Sequence, residues 1–330
     1  MLKAGKLDSR LLEDIVIKNI HFKRQEVLTR PGIGHDCAVI DFGEYECVVS
    51  TDPITAAVNQ IGRLAVHISC NDVASNGVEP LGIMLTLMLP EGTTEDEIAE
   101  MMRQAAETSA ELGVEIIGGH TEITAAVRQP VIVSTAVGRA IAGASQNADN
   151  MSPGDLVYIT KWAGLEGTGI LASDYEDKLM GSLTADEINE AKELLSLVSV
   201  VKEGIAAGKV GTRGMHDVTE GGVLGAVWEM CRISGSGAEI HEDQIPVLGV
   251  TKKICKVFDI NPLGLISSGC MMIIISRDKE EELKKALEEC GVKASCIGTI
   301  KDAAYGLKLI KQGGAYDIGH PESDELYKAF

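Results

Sequence analysis

The sequence predicts an α+β protein built from two domains. Its 330 residues exceed the usual length of one domain. Strand-like and helix-like segments occur in both halves without the strict alternation of a doubly wound sheet. A small, polar stretch at 140–154 ends in Pro-Gly and is the best candidate for a linker. We therefore predict an N-terminal domain at 1–148 and a C-terminal domain at 149–330.

The first half contains the elements of a mixed domain. Leu11–Ile20 has the pattern of a short amphipathic helix, and Asn59–Ser75 carries apolar residues at helical spacing. Thr94 and Glu97 form a predicted capping box for a further helix, which ends at Gly113. Strands are predicted at Cys37–Ile40, Glu46–Ser50, Leu81–Leu89, Val114–Ile117 and Val131–Val137. The fourth of these strands runs directly into a predicted Gly-Gly turn.

The second half restarts with a predicted strand at Leu156–Thr160. One long helix is predicted from Ala185 to Ala207, with Thr184 and Glu187 at its start and Gly208 at its end. The remaining predicted elements are a polar loop at Met215–Gly222, a helix through Cys231, a strand at Met271–Ile275 and a helix at Lys279–Cys290.

Composition excludes several classes of function. Thirty basic and 49 acidic residues give a formal net charge of −19, which disfavours a surface that follows nucleic-acid phosphates or an anionic membrane. Neither a secretory signal nor an apolar run of bilayer length is present in the sequence. The eight cysteines form no C-x-x-C pair and fit a reducing compartment, so we expect a cytoplasmic protein. The 36 glycines are typical of a protein with many close backbone approaches.

Four aspartates stand at the junctions of predicted elements, among small residues: Asp36, Asp52, Asp72 and Asp217. Carboxylates placed at strand ends beside glycine suit a hard divalent cation that carries phosphates. Any single aspartate of this kind is more often a turn former or a helix cap, so the hypothesis depends on the four together. Neither a P-loop nor a complete dinucleotide-binding fingerprint occurs in the sequence.

Seven ordered segments carry a family resemblance. They are GIGHDCAVI, STDPIT, RLAVHISCNDVASNGVEPLGIML, IIGGHTE, SPGDLVYIT, HDVTEGGVLGAV and LISSGCMMI. In this order they resemble the motifs of the aminoimidazole-ribonucleotide-synthetase-related (PurM-like) superfamily, over about residues 30–275. Within it the chain looks most similar to the HypE-type hydrogenase maturation factors.

The resemblance implies a PurM/HypE-like fold, in which the N-terminal domain forms a dimeric β-barrel and the C-terminal domain is an α/β sandwich. It also implies a homodimer that binds ATP and Mg²⁺ and transfers a phosphoryl group to an amide-type or phosphate oxygen of a small-molecule acceptor. The implied metal ligands are Asp36, Asp52, Asp72 and Asp217. The implied cofactor-binding residues are Asp36, Asp52, Asn71, Gly118, Gly119, His120 and Thr121, and the catalytic candidates are Asp72, Asp217 and His120.

Several alternatives remain open from the residues alone. Asn71 either binds a phosphate oxygen or caps a helix, and His120 either contacts phosphate or metal or braces the Gly118-Gly119 turn. Gly164, Gly167 and Gly169 either shape a phosphate- or substrate-facing loop or form an ordinary turn.

The chain also departs from the HypE pattern. It carries His35, His120 and Glu220 where that pattern has other residues, and it ends at Glu322–Phe330 without the terminal Pro-Arg-Ile-Cys. We therefore expect no cyanide-ligand synthesis by the HypE route. The alternatives are a small-molecule kinase of the thiamine-monophosphate kinase type, recognised by a phosphorylated product, or a nucleotide-sensing scaffold without turnover.

Overall fold

The structure of the chain, a computed structural model, describes residues 6–55, 60–146, 148–321 and 323–329. Its first sheet follows the order β1-β2-β3-β6-β4-β5. The strands are β1 (Val27–Thr29), β2 (Ala38–Asp41), β3 (Tyr45–Ile54), β4 (Pro80–Leu89), β5 (Glu115–Ile123) and β6 (Val131–Ile141). Strands β4 and β5 pair in parallel, and the other neighbours are antiparallel.

The second sheet follows the order β13-β12-β9-β11-β7-β10-β8. Its strands are β7 (Leu156–Thr160), β8 (Gly214–Asp217), β9 (Gly237–His241), β10 (Met271–Ile275), β11 (Ala294–Lys301), β12 (Leu307–Lys311) and β13 (Gly314–Asp317). The two sheets confirm the predicted α+β class, and the predicted division at 148/149 lies between them.

The α-helices are α1 (Ser9–Leu11), α2 (Ile61–Ser75), α3 (Glu95–Leu112), α4 (Leu165–Asp174), α5 (Glu176–Leu179), α6 (Ala185–Glu193), α7 (Val201–Val210), α8 (Gly222–Ser234), α9 (Gly249–Phe258) and α10 (Glu280–Glu289). Both predicted capping boxes are present, at the starts of α3 and α6. Within the described ranges, no helix combines the length and the apolar character that crossing a membrane requires.

Helix α2 is central to the first domain. It packs on the inner face of the first sheet and on α3, and its other side meets α7 of the second domain. Close contact with α7 depends on glycine, because a Cβ on Gly204 would lie 2.4 Å from the carbonyl oxygen of Ala74. Helix α2 is therefore buried on nearly all sides, and polar groups near its C-terminal end are withdrawn from water.

The outer face of the first sheet is exposed. Met84 on β4 is 42% exposed, and Ile117 on the edge strand β5 is 54% exposed. Exposed apolar residues on a sheet face beside an edge strand are typical of a surface that pairs with another chain.

The N-terminal prediction at Leu11–Ile20 is wrong as a regular helix. A π-helical turn at Leu12–Val16 and a 3₁₀ turn at Ile17–Asn19 follow the short α1. Ile15 is 59% exposed, so the apolar side of this segment lacks the packing that stabilises a short α-helix. The helix predicted from Asn59 begins at Ile61, and Asn59 lies outside the described residues.

The single helix predicted at Ala185–Ala207 is also wrong. Helix α6 ends at Glu193, a 3₁₀ turn covers Leu194–Leu197, and α7 then runs to Val210 rather than ending at Gly208. The break has a tertiary cause: the amide of Val200 donates to Oδ1 of Asn71 instead of continuing a helix. Helix propensity depends on the local sequence and therefore does not predict this tertiary contact.

Two segments predicted as irregular are strands. Residues 214–217, which overlap the predicted loop Met215–Gly222, form β8 because they pair with β10. The Gly-Gly segment that follows the predicted strand Val114–Ile117 continues β5 to Ile123, because it pairs in parallel with β4. The predicted Gly118-Gly119 turn is therefore wrong.

Candidate functional site

The structure brings the four predicted aspartates together. Asp52 lies near the end of β3, Asp72 on α2, and Asp217 at the end of β8, while Asp36 lies just before β2. The hydroxyl of Ser50 donates to Oδ2 of Asp72 at 2.5 Å, which orients that carboxylate. Residues from both domains thus form one cluster, which we call the acidic cluster (Asp36, Asp52, Asp72, Asp217).

The negative charge of the acidic cluster is only partly compensated by hydrogen bonds to its carboxylates. Both carboxylate oxygens of Asp217 are buried and lack a hydrogen-bond partner among the described residues. Burial and the charge of Asp36 raise the pKa of Asp217 to about 7. Burial, reinforced by the other three carboxylates, raises the pKa of Asp72 well above its usual range. Buried carboxyl groups close to other carboxylates favour the protonated form, and a bound cation would favour the ionised form instead.

His216 is a member of this region that sequence reasoning missed. Its Nδ1 donates to the carbonyl oxygen of Asp217 at 2.7 Å, and its Nε2 donates to Glu229 at 3.0 Å. Nδ1 also lies 3.5 Å from Oδ2 of Asp36. Burial lowers the pKa of His216, but the carboxylates of Asp36, Glu229 and Asp217 raise it to about 10. His216 is therefore an imidazolium that holds Asp36 and Asp217 in place.

The donor set fits a hard divalent cation. Ligand atoms of Asp36, His216 and Asp217 lie within 4.8 Å of one another. Because both ring nitrogens of His216 already donate hydrogen bonds, the carboxylates are the available ligands. Carboxylate oxygens are what Mg²⁺ takes, and the unpartnered oxygens of Asp217 would be satisfied by it.

A cavity of about 300 Å³ opens beside the acidic cluster; we call it the acidic cavity. Its lining includes six carboxylate side chains: Asp36, Asp52, Asp72, Glu166, Glu220 and Asp324. Lys6 is the single cation among the described lining residues. Phosphates would be repelled by this lining unless a cation accompanied them. The N-terminus of α8 lies nearby, after Glu220.

Lys6 reaches this cavity from the N-terminal segment. Its Nζ lies 3.2 Å from Oε2 of Glu220, and its side chain is half exposed. Burial alone would lower the pKa of Lys6, but Glu220, Glu229 and Asp36 raise it, so the ammonium stays charged. The sequence does not predict this position of Lys6, because Glu220 and Glu229 lie more than 200 residues away along the chain.

The structure commits Asn71 to a contact between the domains. Its Nδ2 donates to the carbonyl oxygen of Val198 at 2.8 Å, and its Oδ1 accepts from the amide of Val200 at 2.8 Å. Asn71 is fully buried. Its amide therefore bridges α2 to the segment before α7, and neither helix capping nor phosphate binding describes this contact.

The predicted residues Gly118, Gly119, His120 and Thr121 lie apart from the acidic cluster within one chain. Asp52 pairs with Ser134, Ser134 with Leu85, and Leu85 with Gly119. Three strand spacings, about 14 Å in total, thus separate Asp52 from Gly119. The His120 side chain is 67% exposed and lies 3.5 Å from Glu122.

The segment Gly164–Gly169 forms the start of α4 rather than a loop. It brings Glu166, which the sequence analysis did not single out, to the acidic cavity. The C-terminal segment 323–329 forms another part of the wall. There the buried Asp324 accepts hydrogen bonds from the amides of Gly221 and Leu326.

Comparisons with known proteins agree with this architecture. The family model for the AIR synthase related protein, N-terminal domain, matches residues 34–140, and that for the C-terminal domain matches residues 152–309. A putative hydrogenase expression/formation protein of Methanocaldococcus jannaschii is 30% identical over 338 aligned positions, which cover 98% of this chain and 96% of the relative.

Two further proteins are similar over most of the chain. The carbamoyl dehydratase HypE of Escherichia coli is 26% identical, over 81% of this chain and 77% of the relative. A crystal structure of the hydrogenase maturation protein HypE in complex with ATP has a TM-score of 0.69 at 21% identity and covers 98% of this chain and 97% of its own. At that identity the structural likeness establishes the fold. Given the two family models and the relative from Methanocaldococcus jannaschii, the chain belongs to the AIR synthase related protein family.

Proposed function

We propose that the chain is an ATP- and Mg²⁺-dependent phosphoryl-transfer protein of the HypE type, which activates an amide-type or phosphate oxygen of a small acceptor. One observation carries the proposal: the acidic cluster holds buried carboxylate oxygens that lack partners among the described residues, beside a cavity of ligand size. Two similar proteins support the same class of chemistry: one HypE structure was solved in complex with ATP, and the Escherichia coli relative is a carbamoyl dehydratase.

Chemical roles follow from the positions of the side chains. Asp36, Asp52, Asp72 and Asp217 would hold Mg²⁺, which neutralises phosphate charge when bound. His216 keeps Asp36 and Asp217 oriented, and Ser50 does the same for Asp72. Lys6 offers an ammonium in the lining of the cavity, where it can exchange Glu220 for a phosphoryl oxygen.

We also propose that the site is completed in a homodimer. The sequence resemblance assigns nucleotide binding both to the acidic cluster and to Gly118–Thr121, yet three strand spacings separate them in one chain. A second copy packed on the exposed face of the first sheet would bring its own β5 to this chain. The apolar residues on that face favour such packing.

The dimer is tested by a charge on the exposed face. We expect the wild-type protein to sediment as a dimer and Met84→Asp to sediment as a monomer, because an aspartate buried at the barrel interface would lose its hydration. Ile15→Asp, at an exposed position outside the sheet, is the matched control and should remain dimeric. A monomeric wild-type protein, or a dimeric Met84→Asp variant, would contradict the proposal.

Nucleotide binding is tested by thermal unfolding with ATP, ADP or AMP, each with and without Mg²⁺. ATP with Mg²⁺ at about 100 times its dissociation constant should stabilise the protein by about 2.7 kcal/mol, a rise of about 4 °C in Tm for a chain of this length. ATP without Mg²⁺ should give no rise, because the acidic cavity repels uncompensated phosphate. Equal shifts with and without the metal would argue against the proposed role of the acidic cluster.

A further inference from the structure

Glu166 and Ser268 are two buried polar side chains that the proposed metal chemistry does not use. Glu166 lies in the first turn of α4 and is 5% exposed, and Ser268 precedes β10 and is fully buried. The two are neighbours: burial raises the pKa of Glu166, and the nearby Ser268 opposes part of that rise. Nevertheless, Oε2 of Glu166 and Oγ of Ser268 have no partner in hydrogen-bond geometry within the described part of the chain.

Both side chains line the acidic cavity, together with Asp52 and Asp72. An unpartnered buried carboxylate oxygen costs free energy unless a ligand or water satisfies it. Because both residues border the cavity rather than the solid core, a partner for their buried oxygens would enter through the cavity. The same wall carries the apolar side chains of Ile170, Ile266 and Leu326.

We propose that Glu166 and Ser268 form the acceptor subsite, and that they select a small acceptor that carries N–H or O–H donors and no negative charge. This inference rests on the proposed function, which it narrows to the amide-type acceptor, because a phosphate acceptor would carry negative charge. A carboxylate accepts hydrogen bonds from N–H groups, and a serine hydroxyl beside it both donates and accepts.

Charge around the subsite gives the selectivity. Glu220 and Asp324 are further carboxylates of the same cavity, and Lys6, their one cationic neighbour among the described lining residues, pairs with Glu220. Mg²⁺ on the acidic cluster would not neutralise these groups. An acceptor that bears a phosphate or a carboxylate would therefore be repelled, whereas an amide or a protonated amine would be attracted. Burial raises the pKa of Glu166 to about 7, so this carboxyl can exchange a proton with an acceptor near neutral pH.

Three small probes of different charge test the preference: methylammonium, acetamide and acetate. Their binding to the full chain is measured by saturation-transfer difference NMR, with and without the non-hydrolysable analogue AMPPCP and Mg²⁺. We expect methylammonium and acetamide to bind and acetate not to bind. Glu166→Gln should weaken methylammonium binding by about tenfold or more, the effect of losing a hydrogen bond to a charged group. Ser268→Ala should weaken acetamide binding.

Glu91→Gln, at an exposed position, is the matched control and should bind every probe as the wild type does. Equal binding of acetate and methylammonium, no binding of any probe, or unchanged methylammonium binding in a folded Glu166→Gln variant would each overturn the subsite. Binding of AMPPCP is followed separately by its effect on Tm. If the probes bind through Glu166 while AMPPCP with Mg²⁺ has no effect, the subsite stands and the proposed nucleotide function fails. If AMPPCP with Mg²⁺ raises Tm while the probes do not bind through Glu166, the proposed nucleotide function stands and the subsite fails.

Discussion

Asp217→Asn is expected to abolish Mg²⁺-dependent stabilisation by ATP while making the metal-free protein more stable at pH 8. The carboxylate of Asp217 is fully buried, and neither oxygen has a hydrogen-bond partner among the described residues. An uncharged amide of the same shape removes repulsion with Asp36 and Asp72 but is a poor metal ligand. We expect a gain of about 1–3 kcal/mol in the metal-free free energy of unfolding, and loss of the ATP-dependent rise in Tm.

The pH dependence has a definite sign. Asp217 has a pKa of about 7 in the folded protein and 3.8 as its ordinary value. Between these values the folded state binds more protons than the unfolded state, so the free energy of unfolding falls as pH rises from about 4 to about 7. The raised pKa of Asp72 acts in the same direction. Asp217→Asn should therefore flatten this decline, which urea unfolding over the same pH range measures.

A matched control is Asp243→Asn, at an exposed position outside the acidic cavity. It should leave both the pH profile and the response to ATP and Mg²⁺ unchanged. Retention of the Mg²⁺ response in Asp217→Asn, or a metal-free stability below that of the wild type at pH 8, would remove Asp217 from the metal site.

Local chemistry made much of the fold predictable. The strand Met271–Ile275 is found as predicted because a continuous apolar run is buried on both faces of the second sheet. Both capping boxes depend on side chains three residues apart, which the sequence displays directly. In contrast, the break between α6 and α7 depends on Asn71, more than 120 residues away along the chain. No local pattern carries such a contact.

The candidate site divides in the same way. The four aspartates were predicted because each stands among small residues at the junction of two elements, and the structure places them in one cluster. His216 was missed although it precedes Asp217 directly, since its role requires Glu229 on α8 to be close. Glu166 was missed because the glycines around it favoured a loop, whereas Gly167 lies inside a helix against Leu265. The roles of His216 and Glu166 depend on neighbours that are distant in sequence, so only the tertiary structure reveals them.

A second large effect is expected from Lys161, which ties three segments of the second domain together: the end of β7, the start of α7 and the turn before β10. Its Nζ donates to Oε1 of Glu203 at 2.6 Å and to the carbonyl oxygens of Ser199 and Gly269, at 2.6 and 2.9 Å. Glu203 is 2% exposed. Lys161→Met leaves this carboxylate buried without its cation, so we expect a loss of about 3–5 kcal/mol in the free energy of unfolding, measured by urea unfolding.

The double variant Lys161→Met, Glu203→Met separates the charge from the packing. Because no unpaired charge remains, it should recover most of the lost stability. Ser199 lies between Val198 and Val200, the two residues that hold Asn71, and Asn71 precedes Asp72 on α2. Displacement of this segment in the single variant should therefore also weaken Mg²⁺-dependent ATP binding, and the double variant should restore part of it. If the single variant loses under about 1 kcal/mol, solvent reaches Glu203 and the pair is not a buried one. If the double variant is no more stable than the single one, the three hydrogen bonds of Lys161, rather than its charge, account for the stability that this residue contributes to the second domain.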